Sequence, residues 1–357
     1  MNKERILKFI IGKKASIVDA MGKIDKNAKG ILFVVDGRQV LQGCITDGDI
    51  RRWLIKTGDI NAKVEAAMVS DPKYLFYEDR AQSKKLMKDA SITALPLLNR
   101  EMQLIDITIL TEILDGGEEK KKATLTSVPV VIMAGGKGTR LYPYTKILPK
   151  PLIPIGDTPI VERIINCFTE YGIDKYYMTV NYKKEMIKSY FADVEKNYDI
   201  VYVEEDKPLG TGGSIKLIED KLECPIFVTN CDALILADYE DIYEYHKKSG
   251  NAITVVSALK NIVVPYGVLH SKENGELINL EEKPKLSYFV NTGMYVINQN
   301  MIEMLPDDEV FHMTQLVEKA MYNGEKVGMY PISEDSFLDM GEFDEMHRME
   351  EKLNVGE

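Results

Sequence analysis

Residues 130–141 read VVIMAGGKGTRL. The apolar run that ends at Met133 predicts a short, fully buried strand. Three glycines then fall within four positions, and glycine lets the backbone turn sharply so that its N–H groups approach an anion closely. Lys137 and Arg140 add positive charge beside this turn. The stretch therefore predicts a buried strand that leads into an anion-binding loop.

The spacing of the glycines excludes two common phosphate-binding motifs. A Walker loop ends in Gly-Lys-Ser/Thr and a dinucleotide-binding loop reads Gly-x-Gly-x-x-Gly, whereas the order here is Gly-Gly-x-Gly. Lys150 follows Arg140 and stands between Pro149 and Pro151, which hold the backbone extended. A lysine in such a loop is typically a solvated charge. Because it follows a glycine-rich loop, we interpret Lys150 as a second phosphate-binding group.

Strand-like and helix-like segments alternate after this loop. The strand-like runs are 176–180, 200–203, 226–229 and 252–256, and the helix-like runs include 160–171 and 184–191. Such alternation predicts an α/β domain with a mostly parallel sheet covered by helices. Ligands of such sheets bind beyond the carboxyl ends of the strands.

The bulk composition excludes several classes of protein. With 45 Lys and Arg against 56 Asp and Glu, the 357-residue chain has a net charge of −11. This balance argues against a nucleic-acid-binding protein, because such proteins neutralise phosphates with a basic surface. No segment approaches the roughly 20 apolar residues of a transmembrane helix, and the charged N-terminus lacks the apolar core of a signal peptide. Four widely spaced cysteines match neither a zinc site nor a redox pair, so we expect a cytoplasmic protein that has reduced thiols and no membrane partner.

A charged segment predicts a domain boundary. Residues 115–122 read DGGEEKKK, with two glycines and no apolar periodicity, which is typical of an exposed linker. We therefore divide the chain into an N-terminal part, residues 1–116, a linker, residues 117–126, and a C-terminal domain, residues 127–357.

The N-terminal part contains a weak internal repeat. A buried-strand run, a turn, a second strand and a helix-like segment occur from residue 31 to 54 and again from 95 to 114, and an amphipathic helix is predicted before each. The segment GCITDGD at residues 43–49 resembles the Gly-apolar-apolar-Thr-x-x-Asp signature of CBS domains. The part as a whole resembles an α+β tandem CBS-domain pair.

The CBS resemblance implies that Thr46 and Asp49 hold the ribose of a bound adenine nucleotide. The same two residues also suit a helix cap, and this second interpretation stays open. In the second half, Ile105 stands at the glycine position and Thr111 at the aspartate position, so no second nucleotide site is predicted.

A larger set of motifs resembles the sugar-phosphate nucleotidyltransferase family, whose signature is Gly-Gly-x-Gly-Thr-Arg-Leu followed by Pro-Lys-Pro. Both motifs are present, at 135–141 and 149–151. The further matches, in order, are LGTGG at 209–213, a strand that ends in Asp232, Tyr266-Gly267, EEKP at 281–284, NTGMY at 291–295 and FLDMG at 337–341. Two positions depart from the family, since Cys231 replaces a glycine and Phe337 a tryptophan.

This resemblance implies a Rossmann-like, GT-A type fold with a mixed, mostly parallel sheet, and it assigns roles to individual residues. Arg140, Lys150 and Asp232 are the implied catalytic residues. Asp232 and Asp339 are the implied ligands of Mg²⁺, a hard cation that prefers carboxylates. The implied nucleotide contacts are Ala134, Gly135, Gly136, Lys137, Gly138, Thr139, Asn181, Gly210, Thr211 and Gly212. The implied sugar-phosphate contacts are Gly267, Glu282, Lys283 and Asn291.

The implied reaction is that of a pyrophosphorylase. A sugar 1-phosphate attacks the α-phosphorus of a nucleoside triphosphate in line, and pyrophosphate leaves. Such a transfer depends on positioning and charge neutralisation, and the attacking phosphate is already ionised, so no general base is required. The four histidines lie outside every motif and are expected to be structural.

The base and the sugar stay open. CBS pairs ahead of this fold resemble bacterial guanylyltransferases of nonulosonate (legionaminic acid) pathways in surface-glycan biosynthesis, which favours GTP and a hexosamine or hexose 1-phosphate. UTP, dTTP and CTP are alternatives. A glycosyltransferase is disfavoured because residues 230–233 read NCDA rather than containing Asp-x-Asp. A non-catalytic sugar-nucleotide sensor would not need the charged set above. We also expect a homo-oligomer.

Overall fold

The computed structural model describes residues 3–27, 29–90, 92–109, 123–218, 220, 222–341 and 343–353. Its contacts divide the chain into two units, of which the first contains Met1–Glu119 and Leu259–Phe289 and the second contains Lys120–Ala258 and Val290–Glu357. Residues 117–122 of the predicted linker and the predicted helix at 110–114 lie outside the described residues.

The first unit includes a segment that the sequence placed in the C-terminal domain. Leu259 is 2% exposed and lies in one hydrophobic cluster with Ile17 and Ile45, and Phe289 packs against the same cluster. Between them, Gly267–Ser271 and Leu277–Glu282 form an antiparallel hairpin. Residues 259–289 therefore complete the core of the first unit although they are distant from it in sequence.

Two three-stranded sheets form the rest of the first unit. The strands are Ile10–Ile11, Ile31–Val35 and Leu41–Thr46 in one sheet, and Leu75–Phe76, Ala94–Leu98 and Leu104–Ile109 in the other. The α-helices are Lys3–Leu7, Ile17–Asn27, Asp47–Thr57 and Ser83–Asp89, and the 3-10 helices are Val64–Ala66 and Tyr77–Gln82.

The two sheets are built alike. In each, the first strand pairs parallel with the second and the second pairs antiparallel with the third. Gln39 and Met102 occupy equivalent turns with φ of 62° and 63°. Leu41 N–H donates to the Met102 carbonyl at 3.0 Å, and Leu104 N–H donates to the Gln39 carbonyl at 2.9 Å. This reciprocal pair of bonds joins the two halves through an approximate two-fold relationship.

The strand register corrects the sequence alignment of the two halves. Val34 pairs with Gly43 and Leu97 pairs with Asp106, so Asp106, and not Ile105, stands at the position of Gly43. The prediction for Ile105 was wrong by one residue, a shift that moves every side chain of a strand to the opposite face. Thr111 lies outside the described residues.

The second unit contains a seven-stranded sheet, and two of its strands continue into residues 259–263 and 285–289, which belong to the first unit. In spatial order its strands are Asp199–Glu204, Lys175–Val180, Val130–Met133, Ile226–Asn230, Lys285–Ile297, Ile253–Val263 and Val327–Ile332. The first four are parallel to one another, and the last two are parallel to each other. Ile226–Asn230 and Lys285–Ile297 are antiparallel. The predicted α/β architecture with a mixed, mostly parallel sheet is confirmed.

Helices and short strands complete the second unit. The α-helices are Ile160–Thr169, Lys184–Asp193, Gly210–Gly213, Tyr239–Ser249, Asn300–Glu303, Met313–Tyr322 and Phe343–Leu353. The 3-10 helices are Thr139–Leu141, Tyr144–Lys146, Lys150–Leu152, Ser214–Leu217 and Glu334–Ser336. Two short antiparallel pairs are Pro154–Ile155 with Thr158–Pro159, and Ala233–Ile235 with Phe337–Asp339.

Apolar burial explains the centre of this sheet. All four residues of Val130–Met133 are at most 7% exposed, as expected of a parallel strand covered on both faces. Ile164 and Phe168 of the helix Ile160–Thr169 lie in one hydrophobic cluster with Val130 and Ile132, and Val131 and Met133 lie in a second cluster. No helix among the described residues is long and apolar enough to span a membrane, and the four cysteines, all of them among the described residues, form no disulfide.

Candidate active site

Two adjoining cavities open where the central parallel strands end. The first has a volume of about 390 Å³ and the second about 230 Å³. Arg140, Thr211, Asn230 and Asp232 line both, so the two cavities form one cleft. Its position beyond the carboxyl ends of the strands is the usual ligand site of such sheets.

The glycine-rich loop forms one wall of the first cavity. Gly138 has φ of 64°, and a Cβ there would lie 3.1 Å from the Lys150 Cβ. Its carbonyl accepts the hydroxyl of the buried Thr145 at 2.8 Å. Glycine at this position therefore lets the loop turn in the left-handed region while it lies directly against Lys150.

Lys150 and Asp232 form an ion pair inside the cleft. The Lys150 ammonium donates to an Asp232 carboxylate oxygen, and the two side chains are 12% and 15% exposed. Lys150 begins the 3-10 helix Lys150–Leu152 after Pro149, and Asp232 follows the strand Ile226–Asn230. The cation predicted to bind phosphate is thus held at the cleft by a carboxylate predicted to bind metal.

Asp339 is brought beside Asp232 by the short strand pair. Asp339 pairs with Ala233 across the strands, and Met340 N–H donates to the Asp232 carbonyl at 2.9 Å. Burial raises the pKa of Asp339, the negative charge of Asp232 raises it further, and Lys150 and Arg140 oppose the shift. The two carboxylates therefore repel each other in a partly desolvated space, which is the condition that a bound cation relieves.

The donor set fits a magnesium ion. Two carboxylates suit a hard cation that keeps water and substrate phosphate oxygens as its remaining ligands. Burial raises the pKa of the neighbouring Cys231 thiol to about 12, so a soft thiolate ligand is absent at neutral pH. The described part of the chain contains no group of three or more His, Cys, Asp or Glu side chains arranged to hold a metal ion. Asp232 and Asp339 are the residues of the cleft that could hold such an ion.

Glu205 is a residue of the first cavity that the sequence reasoning missed. It follows the strand Asp199–Glu204 and is 5% exposed. Burial raises the pKa of its carboxyl group. The Leu209 N–H opposes this increase by donating a hydrogen bond to Oε2 at 2.9 Å. The signal available in the sequence was a carboxylate directly after a parallel strand, at the edge where ligands bind.

The glycine-rich segment 209–213 is fastened to the start of the helix Met313–Tyr322. The Gly212 and Gly213 N–H groups donate to the Phe311 carbonyl at 2.8 and 3.0 Å, and Phe311 N–H donates to the Leu209 carbonyl at 2.9 Å. Gly210 has φ of 77°, and a Cβ there would lie 2.6 Å from the Phe311 carbonyl oxygen. Only glycine permits this close approach.

The cleft brings together most of the predicted site residues. The first cavity is lined by Gly135, Gly136, Gly138, Thr139, Arg140, Lys150, Gly210, Thr211 and Asp232, and the second by Arg140, Thr211, Asp232, Asn291 and Asp339. Lys137 is an exposed residue of the glycine-rich loop.

Three predicted nucleotide contacts are already committed to other partners. Ala134 N–H donates to the Thr179 carbonyl at 3.0 Å, the Gly212 N–H donates to Phe311 as described above, and the Asn181 side-chain amide donates to the Glu205 carbonyl at 2.7 Å. Asn181 thereby positions the backbone of Glu205. This hydrogen bond connects Asn181 to the backbone of a residue that lines the first cavity.

Three predicted sugar-phosphate contacts belong to the first unit. Gly267, Glu282 and Lys283 are exposed residues of the hairpin Gly267–Ser271 and Leu277–Glu282 and of the turn that follows it. Lys283 has φ of 48°, and its N–H donates to the Tyr266 carbonyl at 3.2 Å. Asn291 alone of the predicted sugar-phosphate residues lines the cleft, where its side chain donates to the Tyr295 hydroxyl at 2.6 Å.

The family model for nucleotidyl transferases matches residues 129–355, a range that contains every residue of the cleft. The chain belongs to the nucleotidyl transferase family.

Curated relatives of this nucleotidyl transferase differ in the base that their names specify. The chain is 34% identical to the mannose-1-phosphate guanyltransferase of Debaryomyces hansenii over 184 residues, which covers 49% of this chain and 51% of the relative. It is 31% identical to the UTP–glucose-1-phosphate uridylyltransferase of Synechocystis sp. over 232 residues, which covers 59% of each. The chain spans about half the length of the curated relatives that it matches first.

A solved structure supports the fold of this nucleotidyl transferase. The crystal structure of HddC from Yersinia pseudotuberculosis superposes with a TM-score of 0.51 at 25% identity, covering 63% of this chain and 99% of that chain.

Two of the four histidines contrast with each other. His246 is buried, and its ring nitrogens contact Thr254 Oγ1 at 2.8 Å and Asn298 Oδ1 at 3.0 Å, which fits the structural role expected from the sequence. His312 instead lines the first cavity. Sequence reasoning missed it because it lies outside the motifs and reaches the cleft only through the contact of its helix with segment 209–213.

Proposed function

We propose that this nucleotidyl transferase transfers a nucleoside monophosphate from a nucleoside triphosphate to a sugar 1-phosphate and releases pyrophosphate. The observation that carries the proposal is the arrangement of Arg140, Lys150, Asp232 and Asp339 around one cleft with two cavities. Two cations for phosphates and two carboxylates for a metal are the groups that an in-line transfer between two phosphorylated substrates requires.

The roles of the residues follow from their places in the cleft. The triphosphate lies along the glycine-rich loop in the first cavity, where Arg140 and Lys150 neutralise it, and the sugar 1-phosphate lies in the second cavity beside Asn291. Arg140 lines both cavities and is therefore placed between the two sets of phosphates. Mg²⁺, when bound, supplies charge neutralisation for both. Contacts of Gly267, Glu282 and Lys283 with the sugar phosphate stay a prediction.

Glu205 supports GTP as the donor. The Watson–Crick edge of guanine carries two adjacent donors, N1–H and N2–H, and an ionised carboxylate is an acceptor with two oxygens. Uracil, thymine, cytosine and adenine lack this pair of adjacent donors. A buried carboxylate that faces a base without them stays poorly compensated, so guanine is the base that best offsets the burial of Glu205.

The acceptor we propose is a hexose or hexosamine 1-phosphate for surface-glycan biosynthesis. The names of the relatives contain mannose 1-phosphate and glucose 1-phosphate, and Asn291 offers a side-chain amide to sugar hydroxyls in the second cavity. The nonulosonate pathway stays a prediction from the sequence resemblance.

A substrate matrix tests the function. Five nucleoside triphosphates are combined with mannose, glucose, glucosamine and N-acetylglucosamine 1-phosphates in Mg²⁺ buffer, and pyrophosphate release is measured. We expect turnover with GTP and at least one of these acceptors. Preference for UTP or dTTP would refute the choice of GTP, and tight binding of a sugar nucleotide without turnover in any pair would favour a non-catalytic sensor.

Replacing Glu205 by glutamine tests base recognition. We expect kcat/KM with GTP to fall about 10–100-fold, because an amide replaces one acceptor oxygen with a donor that opposes the guanine donors. The values with UTP should change much less. Glu204→Gln is the matched control, since the exposed Glu204 pairs with Lys184 and Lys188 outside the cavity. An equal loss with every base would contradict the assignment.

We also propose that the two similar sheets of the first unit form a CBS pair that binds an adenine nucleotide. The duplicated topology and the reciprocal bonds between Leu41 and Met102 and between Leu104 and Gln39 support it. Thr46 and Asp49 form a capping box at the start of Asp47–Thr57, so the capping interpretation describes their observed bonds. The homo-oligomer expected from the sequence stays a prediction.

A matched pair of variants separates ligand binding from capping in the first unit. Ser16 and Asp19 make the same reciprocal bonds before Ile17–Asn27 as Thr46 and Asp49 make before Asp47–Thr57. Asp49→Ala and Asp19→Ala should each cost about 1 kcal/mol of stability. Only Asp49→Ala should weaken the binding of ATP, ADP or AMP in calorimetry. Equal affinities of the two variants, or no binding by the unmodified protein, would refute the ligand site.

A further inference from the structure

His312 lines the first cavity together with Glu205, Gly210, Arg140 and Lys150. A Cβ at Gly210 would lie 3.1 Å from both His312 Cε1 and His312 Nδ1, so this edge of the imidazole lies against segment 209–213. The residue is nevertheless exposed, which leaves the rest of the ring accessible from the cavity.

The hydrogen bonds determine which ring nitrogen carries the proton. The Thr211 N–H donates to His312 Nδ1 at 3.4 Å, so Nδ1 is the acceptor and the neutral ring carries its proton on Nε2. Among the described residues, no protein group forms a hydrogen bond with Nε2–H. The imidazole therefore presents a donor to the cavity.

The imidazole donor is not needed to start its own helix. The His312 backbone N–H donates to Gln315 Oε1 at 2.8 Å, and Met313 N–H donates to the Thr211 hydroxyl at 3.1 Å. These bonds satisfy donors at the beginning of Met313–Tyr322, as capping residues do. The side chain itself takes part in this capping box as an acceptor, so its N–H donor remains for a second role.

We propose that His312 Nε2–H donates a hydrogen bond to a ribose hydroxyl of the bound nucleoside triphosphate. This assignment rests on the proposed function, which places the base beside Glu205 and the phosphates beside Arg140 and Lys150. The ribose connects the base to the phosphates, and its hydroxyls are the acceptors that fall between those two groups. His312 lines the same cavity as Glu205, Arg140 and Lys150, and its ring lies against Gly210 and Thr211.

Two conservative substitutions separate this role from a purely structural one. Asparagine places an amide near the position of Nδ1, so His312→Asn keeps an acceptor for the Thr211 N–H and loses the donor at the Nε2 position. Glutamine places its amide nitrogen near Nε2, so His312→Gln keeps the donor and loses the acceptor. A structural role would be rescued by asparagine, and a ligand-binding role by glutamine.

The experiment compares the unmodified protein, His312→Asn and His312→Gln in steady-state kinetics with the preferred triphosphate and its 2′-deoxy and 3′-deoxy analogues. We expect His312→Asn to raise KM for the ribonucleotide about tenfold with little change in kcat, and to lose the preference for the ribonucleotide over one deoxy analogue. His312→Gln should retain both the KM of the unmodified protein and its preference for the ribonucleotide. Thermal unfolding of the three proteins verifies that each is folded.

The opposite pattern would overturn the proposal: normal KM and normal deoxy discrimination in His312→Asn, with the defect in His312→Gln. Calorimetry with the same triphosphates makes the test independent of turnover. If the unmodified protein binds the triphosphate but turns over no acceptor, the proposed enzymatic function fails, while the effect of His312→Asn on Kd still decides the ribose contact. Absence of any triphosphate binding by the unmodified protein would refute both.

Discussion

Replacement of Lys150 by alanine should lower kcat on the order of a thousandfold, about 4 kcal/mol of transition-state stabilisation. The ammonium group lies in the cleft at 12% side-chain exposure, where its attraction for a negative charge on the reacting phosphates is stronger than it would be in water. No other lysine lines the first cavity among the described residues. Pyrophosphate release under saturating substrates measures the effect.

The Lys150 variant should also be less stable. Without the ammonium, the negative charges of Asp232 and Asp339 are less well balanced. Of the two cations that lower the pKa of Asp339, only Arg140 remains. Breaking a partly buried ion pair on one side costs about 1–3 kcal/mol, measurable by thermal unfolding in the presence of a chelator. Lys146→Ala is the control, because Lys146 is exposed and lies earlier in the same segment. A Lys150 variant with the turnover of the Lys146 variant would overturn the catalytic assignment.

Replacement of Asp232 by asparagine should lower kcat by a similar factor, on the order of a thousandfold, but should destabilise the protein less than Lys150→Ala does. The variant loses one of the two carboxylates that would hold Mg²⁺, so the metal requirement should shift to higher concentrations. It also removes the negative charge that raises the pKa of Asp339. In metal-free buffer the loss of this repulsion should offset part of the cost of breaking the ion pair with Lys150, so we expect the variant to unfold at a higher temperature than Lys150→Ala.

The sign of the pH dependence follows from Asp339. Its pKa is raised in the folded protein, so the folded state binds the proton more tightly than the unfolded state. The resulting contribution to the free energy of unfolding is fully present below the unfolded-state pKa of about 3.9. It is lost as the pH rises through the raised pKa of Asp339 in the folded protein. Asp232→Asn lowers the pKa of Asp339 and should reduce this loss.

Asp238→Asn is the matched control for Asp232→Asn. Asp238 caps the helix Tyr239–Ser249 by accepting the Asp241 N–H at 3.2 Å, and asparagine caps a helix about as well as aspartate. The control should keep both turnover and stability. Retained turnover in Asp232→Asn, or an unchanged metal requirement, would contradict the role of Asp232.

Local patterns predicted several elements of the second unit within one or two residues. The predicted helix at 184–191 is observed as Lys184–Asp193, and the predicted strand at 176–180 as Lys175–Val180. These segments carry their own periodicity, and each buries the face that its sequence makes apolar. Residues that ended a predicted strand, such as Asp232, were placed at the correct edge of the sheet by the same reasoning.

Non-local contacts were beyond the reach of this reasoning. The one-residue error at Ile105 arose because strand register is set by pairing with a neighbouring strand. Residues 259–289 join the first unit because Leu259 and Phe289 pack into its core, although the charged segment at 115–122 suggested a single boundary. Sequence distance carries no information about such packing.

The sequence by itself determined the family, the α/β class and the charged groups of the glycine-rich loop and its lysine, because these depend on short motifs with fixed spacing. Only the tertiary structure decided that Lys150 pairs with Asp232, that Asp339 lies beside both, and that Glu205 and His312 line the same cavity. Those relationships depend on strands and helices that are distant in sequence and adjacent in the sheet. The neighbours of a charged group determine which ion pair it forms and whether it is protonated. The charge state of the groups around the anion-binding loop therefore depends on this adjacency.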